Sequence, residues 1–109
     1  MTTGISLQEI YEIRRSMASI LLTGKLEWWK YTRYNLYTLN NCVYLRVEIY
    51  STNRNFEDLP ASLCVNDAGK IILHTPNGGT KKFTHQNLAE TLSIVNTEMT
   101  NLKAELKNF

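Results

Sequence analysis

The dipeptide Asn40-Asn41 constrains the fold of this chain more than any other feature of its sequence. The stretches on both sides of it, beginning at Trp28, are rich in aromatic and β-branched residues, which is the composition of β-strands. Asparagine tolerates the positive φ that a tight hairpin turn requires. If these two residues form the whole loop, Leu39 faces Cys42, and counting back from that pair fixes every other pair of the hairpin.

The side chains test that register. It pairs an arginine with a glutamate and tyrosines with tyrosines: Arg33 with Glu48, Tyr31 with Tyr50, and Tyr37 with Tyr44. The opposite face of the hairpin then receives mostly apolar residues: Tyr34, Leu36, Val43, Leu45, Val47 and Ile49. A shift by one residue would lose the ion pair, the aromatic pairs and the apolar face together. We therefore predict a hairpin with one core face and one face rich in tyrosine and arginine.

Turn signals divide the next stretch into further strands. Residues 52–60 are typical of a connecting loop that ends at Pro60. Asp67-Ala68-Gly69 suits a three-residue turn with glycine in the left-handed conformation, between strands near 62–66 and 70–75. Residues 76–79 suit another turn before a short strand at 80–83. Together with the first hairpin, these segments predict a five-stranded antiparallel meander.

The sequence predicts a helix before the sheet, over residues 7–22. Ser6 and Glu9 form a capping box, and Ile5 and Ile10 suit a hydrophobic staple. Apolar residues then recur with helical spacing. Gly24 provides a left-handed stop.

A second, long helix is predicted from about Thr84 to Lys107, with Thr84 as its N-cap. Its apolar residues alternate steps of four and three, as in a heptad seam: Leu88, Leu92, Val95, Met99, Leu102 and Leu106. The seam fits packing on the sheet beside the first helix, and it also fits a homodimer through this C-terminal helix.

These elements give an α+β fold of order α-β-β-β-β-β-α in a single domain over residues 1–109. With 43% apolar and 20% charged residues, the chain has the composition of a globular protein. No apolar run is long enough to span a membrane, and the first residues do not resemble a signal peptide, so we expect a cytoplasmic protein without a membrane partner. The net charge of +2, with 12 basic and 10 acidic residues, gives no strong basic excess for phosphate binding.

Residues that could perform chemistry form no motif. His74 and His85 belong to no zinc-binding spacing, and Cys42 and Cys64 are expected to be packed thiols rather than a disulfide or redox pair. The acidic pair Glu57-Asp58 lies in a predicted polar loop. We therefore expect no enzymatic activity, no cofactor and no metal.

The aromatic and basic content of the hairpin is the clearest functional signal. Tyrosine, tryptophan and arginine are the residues that protein interfaces concentrate. The candidate partner-binding residues are Trp28, Trp29, Tyr31, Arg33, Tyr37, Tyr44, Arg46 and Tyr50. The candidates between Tyr31 and Tyr50 form an exposed face if both helices cover the other side of the sheet, and they are core residues if the helices cover opposite sides. Trp28 and Trp29 are neighbours and point to opposite faces, so at most one of them enters the core.

These residues support three functional hypotheses. The first is a small protein-binding module, such as an adaptor, chaperone-like factor or inhibitor, that docks the hairpin face on another protein. The second is a nucleic-acid-binding protein that stacks bases on the same face, with phosphate contacts from Lys30, Arg54, Lys81 and Lys82. The third is a domain that binds a small molecule between helices and sheet.

Overall fold

The computed structural model describes residues 4–22, 31–50, 61–75 and 79–106. The elements follow in the predicted order: α1 (Leu7–Leu22), β1 (Tyr31–Leu39), β2 (Cys42–Tyr50), β3 (Ala61–Asn66), β4 (Lys70–His74), β5 (Thr80–Thr84) and α2 (Leu88–Leu106). The strands form one antiparallel sheet in the order β1-β2-β3-β4-β5, which confirms the α+β meander. The predicted stop at Gly24, the loop at 52–60 and the turn residues 76–78 lie outside the described residues.

The hairpin of β1 and β2 has the predicted register throughout. Leu39 pairs with Cys42, and the pairing continues to Tyr31 and Tyr50 at the open end. Asn40 and Asn41 have φ values of 52° and 64°, the two consecutive positive angles of a type I′ turn. That turn matches the twist of the flanking strands, so a two-residue loop closes the hairpin without a bulge.

Helix α1 has its predicted bounds and its predicted cap. The Ser6 amide donates to Glu9 Oε1 over 2.9 Å, and the Glu9 amide donates to Ser6 Oγ over 3.2 Å. Ile5 and Ile10, the predicted staple, are both buried in the same hydrophobic core. The reciprocal bonds satisfy two amides that a helix N-terminus otherwise leaves without partners.

Helix α2 begins later than predicted. Thr84 is the last residue of β5, and the helix starts at Leu88. Asn87 is its N-cap, because Asn87 Oδ1 accepts the Glu90 amide at 2.9 Å and the Asn87 carbonyl accepts the Thr91 amide at 3.0 Å. The prediction of Thr84 was wrong because pairing with Lys70 of β4 keeps this residue in the sheet.

Both helices pack on the apolar face of the sheet. The fully buried core joins α1, α2 and the three central strands, and includes Ile10, Ile13, Met17, Leu45, Val47, Ile49, Leu63, Val65, Ile71, Val95 and Met99. From Leu88 to Leu102 the seam of α2 therefore packs inside the chain, with Leu102 only 2% exposed. Leu36 is on the predicted face but is 41% exposed, because β1 is at the edge of the sheet.

Polar contacts align the two helices with each other. Ser16 Oγ donates to Asn96 Oδ1 at 2.6 Å, and Lys103 Nζ donates to the Ile20 carbonyl at 2.8 Å. Residue numbers rise together along both helices, so α1 and α2 are parallel. The lysine also satisfies a carbonyl in the last turn of α1.

The turn between β3 and β4 joins distant parts of the chain. Asp67 donates its amide to the Val43 carbonyl, accepts the Val43 amide on Oδ1 at 3.0 Å, and accepts the Ile5 amide on its carbonyl at 3.2 Å. Gly69 has the predicted positive φ, at 103°, and its carbonyl accepts the amide of buried His85 at 2.9 Å. The His85 ring contacts the Asn66 carbonyl through Nε2 at 3.0 Å, so Nε2 carries the proton.

Neither helix, over the residues that the structure describes, is long and apolar enough to cross a membrane.

Replacing Gly69 with alanine is expected to destabilise the fold. A Cβ at this position would lie 2.8 Å from the His85 carbonyl oxygen, and φ would remain in a region that L-residues avoid. We expect a loss of about 1–3 kcal/mol in the free energy of unfolding, measured by urea denaturation. Ala68→Ser, at the exposed position of the same turn, is the control. Equal stabilities of the two variants would contradict this account of the turn.

The position of the α2 cap predicts different effects for two neighbouring polar residues. Asn87→Ala removes the side chain that accepts the Glu90 amide, so we expect a loss of about 1 kcal/mol in unfolding free energy. Thr84→Ala changes an exposed strand residue and should shift stability by less than about 0.5 kcal/mol. Thermal and urea unfolding of both variants measures the difference, and a larger effect at Thr84 would contradict the observed cap.

Candidate partner-binding face

The register of the hairpin and the position of the helices define one face of the sheet. Both helices pack against the odd-numbered residues of β2, and the even-numbered residues point to the opposite side. No helix of the described part of the chain covers that side. We call five residues there the hairpin face: Arg33, Tyr37, Leu39, Tyr44 and Arg46.

Tyr37 and Tyr44 form the centre of the hairpin face. They are paired across β1 and β2, and their rings stack with centroids 5.2 Å apart and an interplanar angle of 5°. Tyr37 is 38% exposed, and Tyr44 is half-buried. The rings thus support each other on the sheet, while Tyr37 stays exposed to solvent.

The Tyr37 hydroxyl extends to β3. Its oxygen lies 3.8 Å from Cys64 Sγ, within hydrogen-bonding distance for sulfur. Burial raises the pKa of the Cys64 thiol, while the Tyr37 hydrogen bond and the charge of Arg46 oppose that increase. Burial likewise raises the pKa of Tyr37, and the adjacent Cys64 adds to it. Both groups are therefore held in their neutral forms near neutral pH.

Arg46 is held by a carboxylate of its own strand. Its Nε lies 3.4 Å from Glu48 Oε1, in the geometry of an ion pair rather than a hydrogen bond. The Asn35 amide also donates to Glu48 Oε1, over 3.3 Å. Arg33 lies opposite Glu48 as predicted. Arg33 is exposed.

The other predicted contact residues are divided among several places. Trp28, Trp29, Lys30 and Arg54 lie outside the described residues. The backbones of Tyr31 and Tyr50 pair at the open end of the hairpin, and their side chains lie outside the described part.

The two lysines of β5 point to opposite sides of the sheet. Lys82 pairs with Ile72 on the side of the hairpin face. Lys81 is on the helix side, where its Nζ lies 3.8 Å from Oε2 of the buried Glu98 of α2. Of these two predicted phosphate contacts, only Lys82 is therefore on the side of the tyrosines, because adjacent strand residues alternate between faces.

Leu39 belongs to the hairpin face, although the aromatic and basic composition of the hairpin did not single it out. It is 54% exposed and lies two residues beyond Tyr37 on the same side of β1. The period-2 alternation of strand side chains would have identified it once the register was set. Its apolar side chain extends the tyrosine pair toward the turn.

The remaining candidates for chemistry stay separate. Cys42 and Cys64 are free and half-buried, as expected for packing thiols. The described residues contain no group of three or more histidine, cysteine or acidic side chains that could hold a metal ion.

No family model matches the sequence, and no curated protein or solved structure matches it either. The functional evidence therefore comes from the residues of this chain.

The raised pKa of Cys64 predicts a loss of stability at alkaline pH. The thiol of the unfolded chain ionises near its ordinary pKa of 9.0, while the folded thiol keeps its proton to higher pH. Stability is therefore fully present below that value and is lost as pH rises from it through the folded pKa. Urea unfolding between about pH 7 and pH 10 should show a smaller decline for Cys64→Ser than for wild type.

Cys42→Ser keeps Cys64 and is the matched control for that experiment. It should decline with pH as wild type does. Identical curves for wild type and Cys64→Ser would contradict the assignment of the titration to Cys64.

Proposed function

We propose that this protein is a non-enzymatic protein-binding module, an adaptor, chaperone-like factor or inhibitor, that docks a partner protein on its hairpin face. The observation that supports it is the packing of both helices on one side of the sheet. A sheet face that bears exposed aromatic and apolar side chains is typical of an interaction surface. Tyr37 at 38% and Leu39 at 54% exposure are such side chains.

The tyrosine stack favours binding because it is already ordered. Immobilising side chains on association costs free energy, and a preformed stack has lost that freedom before the partner arrives. Tyr37 and Tyr44 are fixed by the 5.2 Å stack and by the contact of the Tyr37 hydroxyl with Cys64. Ordered tyrosines with polar tips are typical of the residues that dominate binding energy.

The charge of this side of the sheet favours an acidic partner. Four cationic side chains and one carboxylate lie on it among the described residues: Arg33, Arg46, Lys70, Lys82 and Glu48. Glu48 is paired with Arg46, so the surplus is positive. Complementary charge accelerates association and selects partners, and we therefore propose a partner with an acidic surface.

Nucleic acid is the second candidate. The same positive surplus beside stacked tyrosines favours it, since single-stranded bases stack on aromatic rings and phosphates pair with cations. The pairing of Lys81 with Glu98 on the other side removes one of the cations that this hypothesis used. Protein docking therefore remains the leading proposal.

An affinity capture with and without nuclease tests the proposal. We expect Tyr37→Ala/Tyr44→Ala to lose a directly bound protein, with affinity reduced about 30-fold or more, which corresponds to about 2 kcal/mol for hot-spot side chains. Circular dichroism and thermal unfolding establish that the variant is folded. Binding of the purified partner is then measured by calorimetry at low and high salt.

Arg46→Glu and Arg15→Glu form a matched pair for the charge argument. Arg46 belongs to the hairpin face, and Arg15 is exposed on α1. The first substitution should weaken binding of an acidic partner and the second should leave it unchanged. A folded tyrosine variant that binds as wild type does would refute the proposal. Capture that disappears with nuclease, and affinity that falls steeply with salt, would establish the nucleic-acid function instead.

A further inference from the structure

Strand β1 presents a long edge of the sheet. It has nine residues, and no strand of the described part of the chain pairs with its outer side. In a two-residue hairpin the residues that flank the loop form a hydrogen-bonded pair, and such pairs recur at every second residue. The odd-numbered residues of β1 therefore bond to β2. The N–H and C=O groups of Tyr34, Leu36 and Thr38 point outward.

The opposite edge has the features that prevent strand pairing. β5 has five residues, and Lys81 and Lys82 lie in it. Short edge strands and lysines discourage pairing between sheets. β1 carries a single charged residue, Arg33, in its nine. The two edges of the same sheet therefore differ in whether they admit another strand.

The exposed large apolar side chains of the described residues cluster at the β1 edge. Leu36, Tyr37 and Leu39 are on β1 itself, and Leu7 and Tyr11 are on α1, at 51% and 48% exposure. On α1, Leu7 and Tyr11 lie on the same side as Arg14, at helical spacings of seven and three residues. The Arg14 guanidinium lies 4.9 Å from the centre of the Tyr34 ring of β1, so that side of the helix is directed toward the edge.

We propose that β1 pairs antiparallel with β1 of a second copy of this chain, so that two sheets join into one across a two-fold axis. Such an interface is isologous and closed, which is the commonest arrangement of protein dimers. It supplies partners for the outward backbone groups and buries the apolar side chains on both sides of the strand. The proposal concerns assembly, and it holds whether or not the hairpin face docks another protein.

The sequence of β1 is complementary to itself about Asn35. With Asn35 on the two-fold axis, Tyr34 faces Leu36 of the second copy, and Arg33 faces Tyr37 of the second copy. The first pair is apolar on the helix side, and the second places a cation beside an aromatic ring. A register centred on Arg33 would place the two arginines opposite each other, so charge also favours the axis at Asn35.

The two-fold axis is perpendicular to the joined sheet, and both α1 helices therefore remain on one face. Leu7 and Tyr11 of each copy then face the other copy across the contact between the two β1 strands. The hairpin faces of the two copies lie side by side on the opposite surface, and Tyr44 and Arg46 of β2 remain outside the contact between the β1 strands. The dimer thus presents both hairpin faces on the same side of the joined sheet.

Sedimentation equilibrium of the full chain over about two orders of magnitude in concentration tests the assembly. We expect wild type to approach twice the chain mass of 12.6 kDa. Leu36→Lys adds a charge to the contact between the β1 strands. Thr38→Pro removes an outward N–H that forms no hydrogen bond to β2. Each should raise the dimer dissociation constant at least about tenfold. Thr80→Lys and Thr80→Pro, on the β5 edge, are the matched controls and should dimerise as wild type does.

A cysteine on the proposed axis tests the register. In a background of Cys42→Ser and Cys64→Ser, Asn35→Cys should form an intermolecular disulfide on oxidation. Residue 35 and its copy form a non-hydrogen-bonded pair on the axis, and the Cα atoms of such a pair lie close enough for a disulfide. Arg33→Cys should not, because its copies are about 14 Å apart along the strands, four residues at about 3.4 Å each. A monomeric wild type, a dimer unaffected by both β1 variants, or equal cross-linking of the two cysteines would each overturn the proposal.

Discussion

Asp67 connects three segments that are far apart in the sequence. Its amide and carboxylate bond to both backbone groups of Val43, at 3.0 Å each, and its carbonyl accepts the amide of Ile5 at 3.2 Å. The next glycine, Gly69, bonds to His85 just before α2. The β3–β4 turn therefore fixes the start of β2, the entry to α1 and the approach to α2 at one end of the sheet. The parallel arrangement of the helices follows from these shared starting points.

That arrangement decides which side of the sheet the helices leave uncovered. Ser16 bonds to Asn96 and Lys103 to Ile20, so the helices lie beside each other rather than on opposite faces. Their buried residues share one core with the apolar side of the central strands. The tyrosines and arginines of the first hairpin are then left on the other side. The candidate site therefore results from the packing of both amphipathic helices on the apolar side of the sheet.

Much of the local structure could be predicted because its causes are local. The register of β1 and β2 follows from a two-residue turn and the alternation of side chains, and it also predicts the pairing of Tyr37 with Tyr44. The cap of α1 follows from the spacing of Ser6 and Glu9. The start of α2 was mispredicted because Thr84 and Asn87 are both suitable caps, and strand pairing selected the second.

The site was less predictable because its contacts cross between elements. The approach of Tyr37 to Cys64 depends on the register between β2 and β3. That register could not be predicted, because no short turn joins these two strands. The side taken by Lys81 depends on the register of β5, and its partner Glu98 is on α2. Leu39 could have been placed on this face from the hairpin register, but the aromatic and basic composition that indicated the face did not include it.

The sequence by itself determined the order of helices and strands, the hairpin register, the glycine turn at Gly69 and the separation of apolar from tyrosine-rich residues. These depend on periodicity, turn geometry and capping, which act within a few residues. Only the tertiary structure decided that both helices share one face, that the described part of the α2 seam packs inside the chain, and that β1 lies at an edge of the described sheet. The physical reason is that the sequence of an amphipathic helix shows only that the helix packs against an apolar surface. Which surface it packs against, and which one is left uncovered, is determined only when the complete sheet has assembled.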